Sequence, residues 1–84
     1  MRADPIRLRR GNFVMTYFDT GALGPAPLFG VVIAAGPLAF TVRWESGLVN
    51  RIRQEARGGL TRIPRHELDT RALEALEPAA ERAR

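Results

Sequence analysis

The sequence predicts a mainly β fold: a small barrel of five short strands followed by a short C-terminal helix. Short segments rich in aromatic and β-branched residues recur along the chain, and turns containing Gly or Pro separate them. A capped helical pattern is found only near the C-terminal end. These elements follow one another within about 65 residues, which is typical of a small, strongly bent sheet.

Length and composition indicate one small domain. With 84 residues, 45% of them apolar and 26% charged, the chain has the composition of a globular protein. The absence of cysteine excludes disulfides and thiolate metal sites and fits a reducing compartment. No apolar run approaches the ~20 residues that cross a bilayer, and the basic start has no signal-peptide pattern behind it. We therefore expect a cytoplasmic protein without membrane contact.

The N-terminal half predicts an arm, two strands and a long loop. Residues 1–10 show a period of two after Pro5, which indicates an arm or short strand, and the barrel domain is expected over 11–78. "FVMTYF" predicts the first strand. The Gly- and Pro-rich stretch Asp19 to Pro27 predicts a loop without regular structure. "LFGVVIAA" follows as a buried second strand, with a bend at Gly30.

The C-terminal half predicts a hairpin, a last strand and the helix. Residues 38–44 and 48–54 form the hairpin, and "LTRI" supplies the last strand. In "HELDTRALEALEP", Asp69 is a good N-cap, the leucines on either side of it fit a hydrophobic staple, and Pro78 ends the segment. Residues 79–84 are expected as a tail, which either extends the helix or frays.

The turn of the hairpin determines which side chains share a face. A two-residue loop at Ser46-Gly47 would place Arg51 opposite the core residue Val42, which is costly. A three-residue loop "ESG", with Gly47 in the left-handed conformation, pairs Trp44 with Leu48 instead. We predict the three-residue loop because it makes one face of the hairpin apolar.

This register gathers three arginines on the other face. The chain has thirteen arginines, no lysine and a net charge of +4, and Arg43, Arg51 and Arg53 would lie together. Guanidinium groups are planar donors that suit phosphate or carboxylate oxygens. Arg9 and Arg10 would extend the cluster if the N-terminal arm folds beside it. The sequence therefore predicts an anionic partner, either nucleic acid or an acidic protein surface.

Two alternatives remain for these arginines. The excess of arginine over lysine is also explained by a GC-rich coding sequence. The cluster itself could be a solvated face with local ion pairs to Glu45 and Glu55, each contributing little to stability.

The aromatic residues divide between core and surface. Trp44 lies on the predicted apolar face, and we expect it in the core, where Asn50 needs a partner for its amide, such as loop backbone. One of Tyr17 and Phe18 must face outward if both belong to a strand. An exposed aromatic there could stack on a base or grip a peptide side chain. We favour the alternative, in which the following loop covers it.

The sequence offers little for catalysis. Ser46 is the only serine and lies in a tight turn, while His66 is the only histidine and lies in another segment. One histidine without cysteine leaves no recognisable metal-ligand spacing, and no Gly-rich phosphate loop is present. We expect no enzyme activity, no cofactor and no metal.

The order of elements resembles the Src homology 3-like group, which includes Tudor and KOW domains. A segment covering about a third of the chain also resembles domains of the mind-bomb ubiquitin-ligase type. Its matching residues are Gly30, Val32, Val42, Trp44, Glu45, Gly47, Asn50 and Arg53. The lysine-rich strand of many KOW domains is missing, and the Tudor aromatic cage does not map onto this chain. "VNRI" also differs from the Val-Gln-Ile-Tyr strand of the plasmid-type dihydrofolate reductases, which are small-barrel enzymes.

Two functions follow as expectations. The first is a non-catalytic module that contacts nucleic acid or a nucleoprotein complex through Arg43, Arg51 and Arg53, with Arg9, Arg10 and Tyr17 as further contacts. The second is a protein-interaction or assembly subunit of a larger bacterial or phage complex, or a homo-oligomer. The arginines favour the first and the apolar loop favours the second.

Overall fold

The computed structural model describes residues 8–84, except for the side chains at positions 56 and 57. Five antiparallel strands form one sheet, and a helix follows them, so the mainly β prediction is confirmed. The sheet has the order β4-β3-β2-β1-β5 and, within the described residues, does not close on itself. The elements are β1 (Phe13–Asp19), β2 (Pro25–Ala35), β3 (Ala39–Trp44), β4 (Val49–Arg53), β5 (Thr61–Ile63) and α1 (Thr70–Ala83).

Both faces of the sheet are buried at its centre. One face, called here the helix face, packs against α1, and its core includes Phe13 and Val31. On the opposite face Val14 and Val32 pack with Phe40, Val42 and Trp44. Successive side chains of a strand point to opposite faces, so a strand covered on both sides needs a continuous apolar run. The predicted burial of "LFGVVIAA" holds at the centre of β2, where Gly30, Val31 and Val32 are buried, but not at its end, where Ala34 and Ala35 are exposed.

The start of α1 agrees with the sequence. The Asp69 carboxylate accepts a hydrogen bond of 2.8 Å from the backbone N–H of Ala72, as expected of an N-cap. Leu68, just before the cap, is buried, and Leu73 packs against the same core cluster. His66 is exposed in the short turn Arg65–Glu67, which precedes the helix.

The end of α1 differs from the prediction. The helix continues through Pro78 to Ala83, so the expectation that Pro78 ends it is wrong. Proline cannot donate to the carbonyl four residues earlier, but Pro78 and Glu74 both lie on the exposed side of the helix. Beyond the proline, Ala79, Ala80 and Ala83 are buried. This burial offsets the missing hydrogen bond.

The predicted loop from Asp19 to Pro27 is also wrong. β1 extends to Asp19, β2 begins at Pro25, and only a short turn at Gly21–Leu23 separates them. The Phe29 carbonyl points toward β3, because it accepts a hydrogen bond from the Glu45 N–H. Every second residue of a strand directs its backbone groups to the same side, so the nitrogens of Pro25 and Pro27 also point to that side. The pairing between β2 and β3 reaches only as far as Gly30 of β2. The two prolines lie beyond it, so no hydrogen bond between these strands is lost by their missing N–H groups. The result is a two-stranded ribbon, Thr16–Asp19 with Pro25–Leu28.

The β3–β4 hairpin has the predicted register. The Trp44 N–H donates to the Leu48 carbonyl at 2.8 Å, and Gly47 has the left-handed φ of 96°. Phe40 lies opposite Ile52. The three-residue loop is therefore confirmed.

The predicted N-terminal arm lies mostly outside the described residues, which begin at Leu8. Leu8 itself is buried against the opposite face of the sheet. None of the helices within residues 8–84 has the length and apolarity needed to cross a membrane.

Candidate functional site

The structure brings Arg43, Arg51 and Arg53 onto one face. Arg43 lies opposite Val31 of the helix-face core, so it points to the helix face. On its other side Arg43 lies opposite Val49, and Arg51 and Arg53 follow Val49 at alternate positions of β4. All three arginines therefore share the helix face, over the part of the sheet formed by β3 and β4. We call these three residues the arginine face.

The arginine face is exposed at β4 and partly covered at β3. Arg51 and Arg53 are exposed, whereas Arg43 is half-buried. Arg53 lies 3.7 Å from the Glu55 carboxylate, but both side chains are 79% exposed, so this ion pair contributes little. In the part of the chain that the structure describes, Arg43 and Arg51 form no ion pair. The face therefore carries more positive charge than its acidic neighbours neutralise.

Arg82 joins this region and was missed by the sequence analysis. A shallow groove of ≈ 180 Å³ is lined by Arg43 and Arg82, with Ile33, Ala79 and Ala83 between them. Arg82 reaches this place because α1 continues past Pro78. A signal was present, since small apolar residues continue at helical spacing after the proline in "EPAAERA".

A larger groove lies at the outer end of the arginine face. It has a volume of ≈ 750 Å³ and combines apolar and charged side chains. Its lining residues are Pro37, Leu38, Ala39, Arg51, Arg53, Gln54 and Glu55. The Gln54 side chain donates to the Gly36 carbonyl at 3.2 Å, and its backbone N–H donates to Leu38 at 2.8 Å. These bonds hold the β2–β3 turn against the end of β4.

Trp44 holds β3 in place from the other side of the sheet. It is 7% exposed, which confirms the prediction that it belongs to the core. Its indole N–H donates to the Asn50 side chain at 2.9 Å, so the partner of Asn50 is Trp44 and not loop backbone. Trp44 follows Arg43 directly on β3, and successive side chains of a strand point to opposite faces. Because Trp44 is held in the core on one face, the Arg43 side chain is directed to the other face.

Arg9 and Arg10 lie apart from the arginine face. Both are exposed in the turn before β1, where the Arg9 N–H donates to the Asn12 side chain at 2.8 Å. The next residue, Gly11, donates to the Val32 carbonyl, so this turn lies on the β1 side of β2. β3 lies on the other side of β2. The structure therefore places β2 between these two arginines and the arginine face.

Tyr17 lies on the ribbon, where both aromatic residues are exposed. Tyr17 is 62% exposed and Phe18 is 46% exposed, so the expectation that the following segment covers them is wrong. Leu23, at the tip of the ribbon, is 89% exposed. Two hydrogen bonds hold the tip: the Asp19 carboxylate accepts from the Gly21 N–H at 2.8 Å, and the Gly24 carbonyl accepts from the Thr20 N–H at 3.1 Å. Asp19 is also the only charged residue between positions 11 and 42.

A second arginine-lined groove was also missed. It has a volume of ≈ 390 Å³ and lies where β1, β5 and the end of α1 meet, with Arg62, Arg65 and Arg84 in its wall. The Glu77 carboxylate lies 2.8 Å from Arg65 and 3.8 Å from Arg84. Two of its three arginines are therefore engaged by a carboxylate of the same chain.

The two side chains considered for catalysis lie apart. Ser46 is in the β3–β4 turn, with its hydroxyl 3.4 Å from the Leu48 N–H, whereas His66 is in the turn before α1. Over residues 8–84, no three His, Asp or Glu side chains come close enough together to hold a metal ion.

Comparison of the chain with protein-family models, with curated proteins and with solved structures gave no match. The functional proposal therefore rests on the residues and their geometry.

Proposed function

We propose that this domain is a non-catalytic binding module that contacts the phosphate backbone of nucleic acid through the arginine face. The observation that carries the proposal is the alignment of Arg43, Arg51 and Arg53 on one face, with Arg82 beside Arg43. Among the described residues, the ion pair that these three arginines form is the weak one between Arg53 and Glu55. Phosphate oxygens suit this arrangement because a guanidinium group offers planar paired donors. A cytoplasmic location is part of the proposal.

An Src homology 3-like small barrel is the fold that we propose for this module. Two features support it. The antiparallel order β4-β3-β2-β1-β5 forms a meander with the last strand returning beside the first. A short 3-10 segment, Gln54–Gly59, joins β4 to β5. Domains of this group present strand faces and loops to their ligands, which is how the arginine face is presented here.

The geometry favours contacts to the backbone over readout of base sequence. Arg51 and Arg53 stand on β4, a short strand at the edge of the sheet, and not on a helix of the kind that enters the major groove of duplex DNA. Phosphate contacts position a protein on nucleic acid but carry no sequence information directly. We therefore expect binding with little dependence on sequence.

A charge-matched pair of variants tests the proposal. The double change R51A/R53A removes two positive charges from the arginine face, and R62A/R71A removes two exposed charges elsewhere. Fluorescence anisotropy with a labelled oligonucleotide compares them at low salt. We expect R51A/R53A to bind on the order of tenfold more weakly than R62A/R71A, because local phosphate contacts are lost in addition to net charge. Equal affinities would mean that net charge alone attracts the oligonucleotide.

The second candidate function, a protein-interaction subunit, is favoured by the ribbon. Tyr17, Phe18 and Leu23 expose apolar surface in a stretch that is almost free of charge. Large exposed apolar side chains on one projecting element are typical of contact sites for other proteins. Size in solution and co-purifying protein would reveal such a role, and the double change Y17S/L23S would abolish it while leaving stability nearly unchanged. A wild-type monomer without a bound protein would count against it.

A further inference from the structure

The outer edge of β4 has a defined backbone pattern. β4 is the last strand on its side of the sheet, and within residues 8–84 no segment pairs with its outer edge. The Leu48 carbonyl, just before β4, accepts from Trp44, and the Gln54 N–H, just after it, donates to Leu38. Both bonds point to β3. Because the backbone groups of every second residue point to the same side of a strand, the even-numbered residues of β4 bond to β3.

The odd-numbered residues of β4 therefore direct their backbone groups outward. These residues are Val49, Arg51 and Arg53, and all three are exposed. Their N–H and C=O groups form a row along the edge, and no segment within residues 8–84 pairs with this row. Such a row is the template on which an extended segment adds as a new strand.

The charges on β4 determine which side chains an added strand would need. Side chains that lie directly opposite each other across two strands share a face, and opposite charges there are stabilising. A strand added beside Arg51 and Arg53 would place its alternate side chains next to these two guanidinium groups on the helix face. Acidic residues fit these positions. A second copy of β4 does not, because it would set arginine near arginine.

The opposite face of β4 selects the residues between the acidic ones. Ile52 is partly buried and packs against the cluster that contains Phe40 and Trp44. A side chain of the added strand on this face would lie beside Ile52. An apolar side chain there extends the core cluster and removes apolar surface from water.

We infer that the outer edge of β4 binds an extended segment of a partner protein in which acidic residues alternate with apolar ones. The segment pairs with the outward backbone groups of Val49, Arg51 and Arg53, and its carboxylates meet the two arginines. This site goes beyond nucleic-acid binding and does not depend on it. The two ligands share Arg51 and Arg53, so they compete.

Two synthetic peptides of equal composition test the strand pairing. One alternates glutamate with valine, and the other groups the glutamates at one end and the valines at the other. Calorimetry with the full chain is expected to show binding of the alternating peptide on the order of tenfold more tightly. Equal affinity for the two peptides would show a general attraction for acidic chains and would overturn the inference.

A pair of variants at Arg51 separates strand pairing from charge. R51A and R51P both remove the guanidinium group, but only R51P also removes an outward N–H. Proline is tolerated in an edge strand where its nitrogen faces solvent. We expect R51P to bind the alternating peptide roughly tenfold more weakly than R51A, while an oligonucleotide binds equally to both. Equal peptide affinity would contradict strand pairing, whereas the oligonucleotide result reports on the proposed function alone.

A charge exchange decides the matter if R51P does not fold. The variant R51E/R53E keeps all backbone groups of β4 and reverses the side-chain charge. Its affinity for the glutamate–valine peptide should fall by about tenfold, and its affinity for a lysine–valine peptide of the same alternation should rise by about tenfold. Failure to bind the lysine–valine peptide would overturn the inference.

Discussion

Gly30 has no room for a side chain, because two core residues of β3 pack across it. A Cβ at position 30 would lie 2.7 Å from Cε3 of Trp44 and 2.7 Å from Cγ1 of Val42. We predict that G30A lowers the free energy of unfolding by about 1–3 kcal/mol, as overpacking of a core does. Chemical denaturation measures this change.

Gly36 provides the control for this prediction. A Cβ there would meet only the Ala39 carbonyl oxygen, at an ordinary 3.6 Å. G36A should therefore change stability little. A G30A protein as stable as G36A would show that Trp44 and Val42 do not pack as described.

Gly47 determines the register of the β3–β4 hairpin by its backbone alone. Its φ is 96°, and apart from its two chain neighbours no residue within 8–84 has an atom within 4 Å of the place a Cβ would take. The cost of G47A is therefore backbone strain, which we expect to lower the free energy of unfolding by about 1–2 kcal/mol. Asparagine tolerates this conformation better, so G47N should be more stable than G47A. Denaturation curves of the two variants test this order, and equal stability would contradict it.

At the scale of elements, α1 carries a proline in its interior. Pro78 removes one helical hydrogen bond, although its neighbours Ala79 and Ala80 remain buried. Because alanine is about 3 kcal/mol more favourable than proline inside a helix, P78A should raise the free energy of unfolding by up to about that amount. Thermal unfolding followed by circular dichroism measures the effect. A destabilised P78A would mean that the proline shapes the helix to fit the sheet.

The register of β3 and β4 could be predicted from the sequence because local chemistry decides it. Gly47 is the residue that reverses the chain, and only one loop length keeps Arg51 away from the core residue Val42. The same register brings the three arginines of the arginine face together. Local turn chemistry and side-chain polarity were sufficient for this part of the candidate site.

The ribbon and the end of α1 could not be predicted because distant parts of the chain decide them. Pro25 and Pro27 are acceptable in β2 because β3 does not reach them. Pro78 is acceptable in α1 because the alanines after it are buried. Arg82 was missed for the same reason. In each case we expected proline to end a strand or a helix, but contacts with distant parts of the chain allow the element to continue through it.

At the scale of the whole molecule, the arginines of the arginine face and the exposed aromatic residues of the ribbon lie on different parts of the sheet. The ribbon exposes Tyr17, Phe18 and Leu23 and contributes one charge, Asp19, to the stretch between positions 11 and 42. The arginine face lies instead on β3 and β4, beside Arg82 of the helix. The arginine face is therefore a cationic surface, and the ribbon is a nearly neutral one. The two candidate functions belong to different surfaces and can be tested independently.

Binding and folding should also be separable. Arg51 and Arg53 are exposed, and the only ion pair between them and the described carboxylates is the weak one with Glu55. R51A/R53A should therefore keep the free energy of unfolding within about 0.5 kcal/mol of the wild type. A loss of binding in this variant then reports on the surface and not on the fold.

The most direct test of the arginine face is the salt dependence of oligonucleotide binding. Each phosphate that the protein neutralises releases counterions, so affinity falls linearly with salt on logarithmic axes. Between about 50 and 200 mM salt, R51A/R53A should show a slope shallower than that of the wild type by roughly one for each lost contact. R62A/R71A should keep the wild-type slope. Identical slopes for all three proteins would show that Arg51 and Arg53 do not contact phosphates.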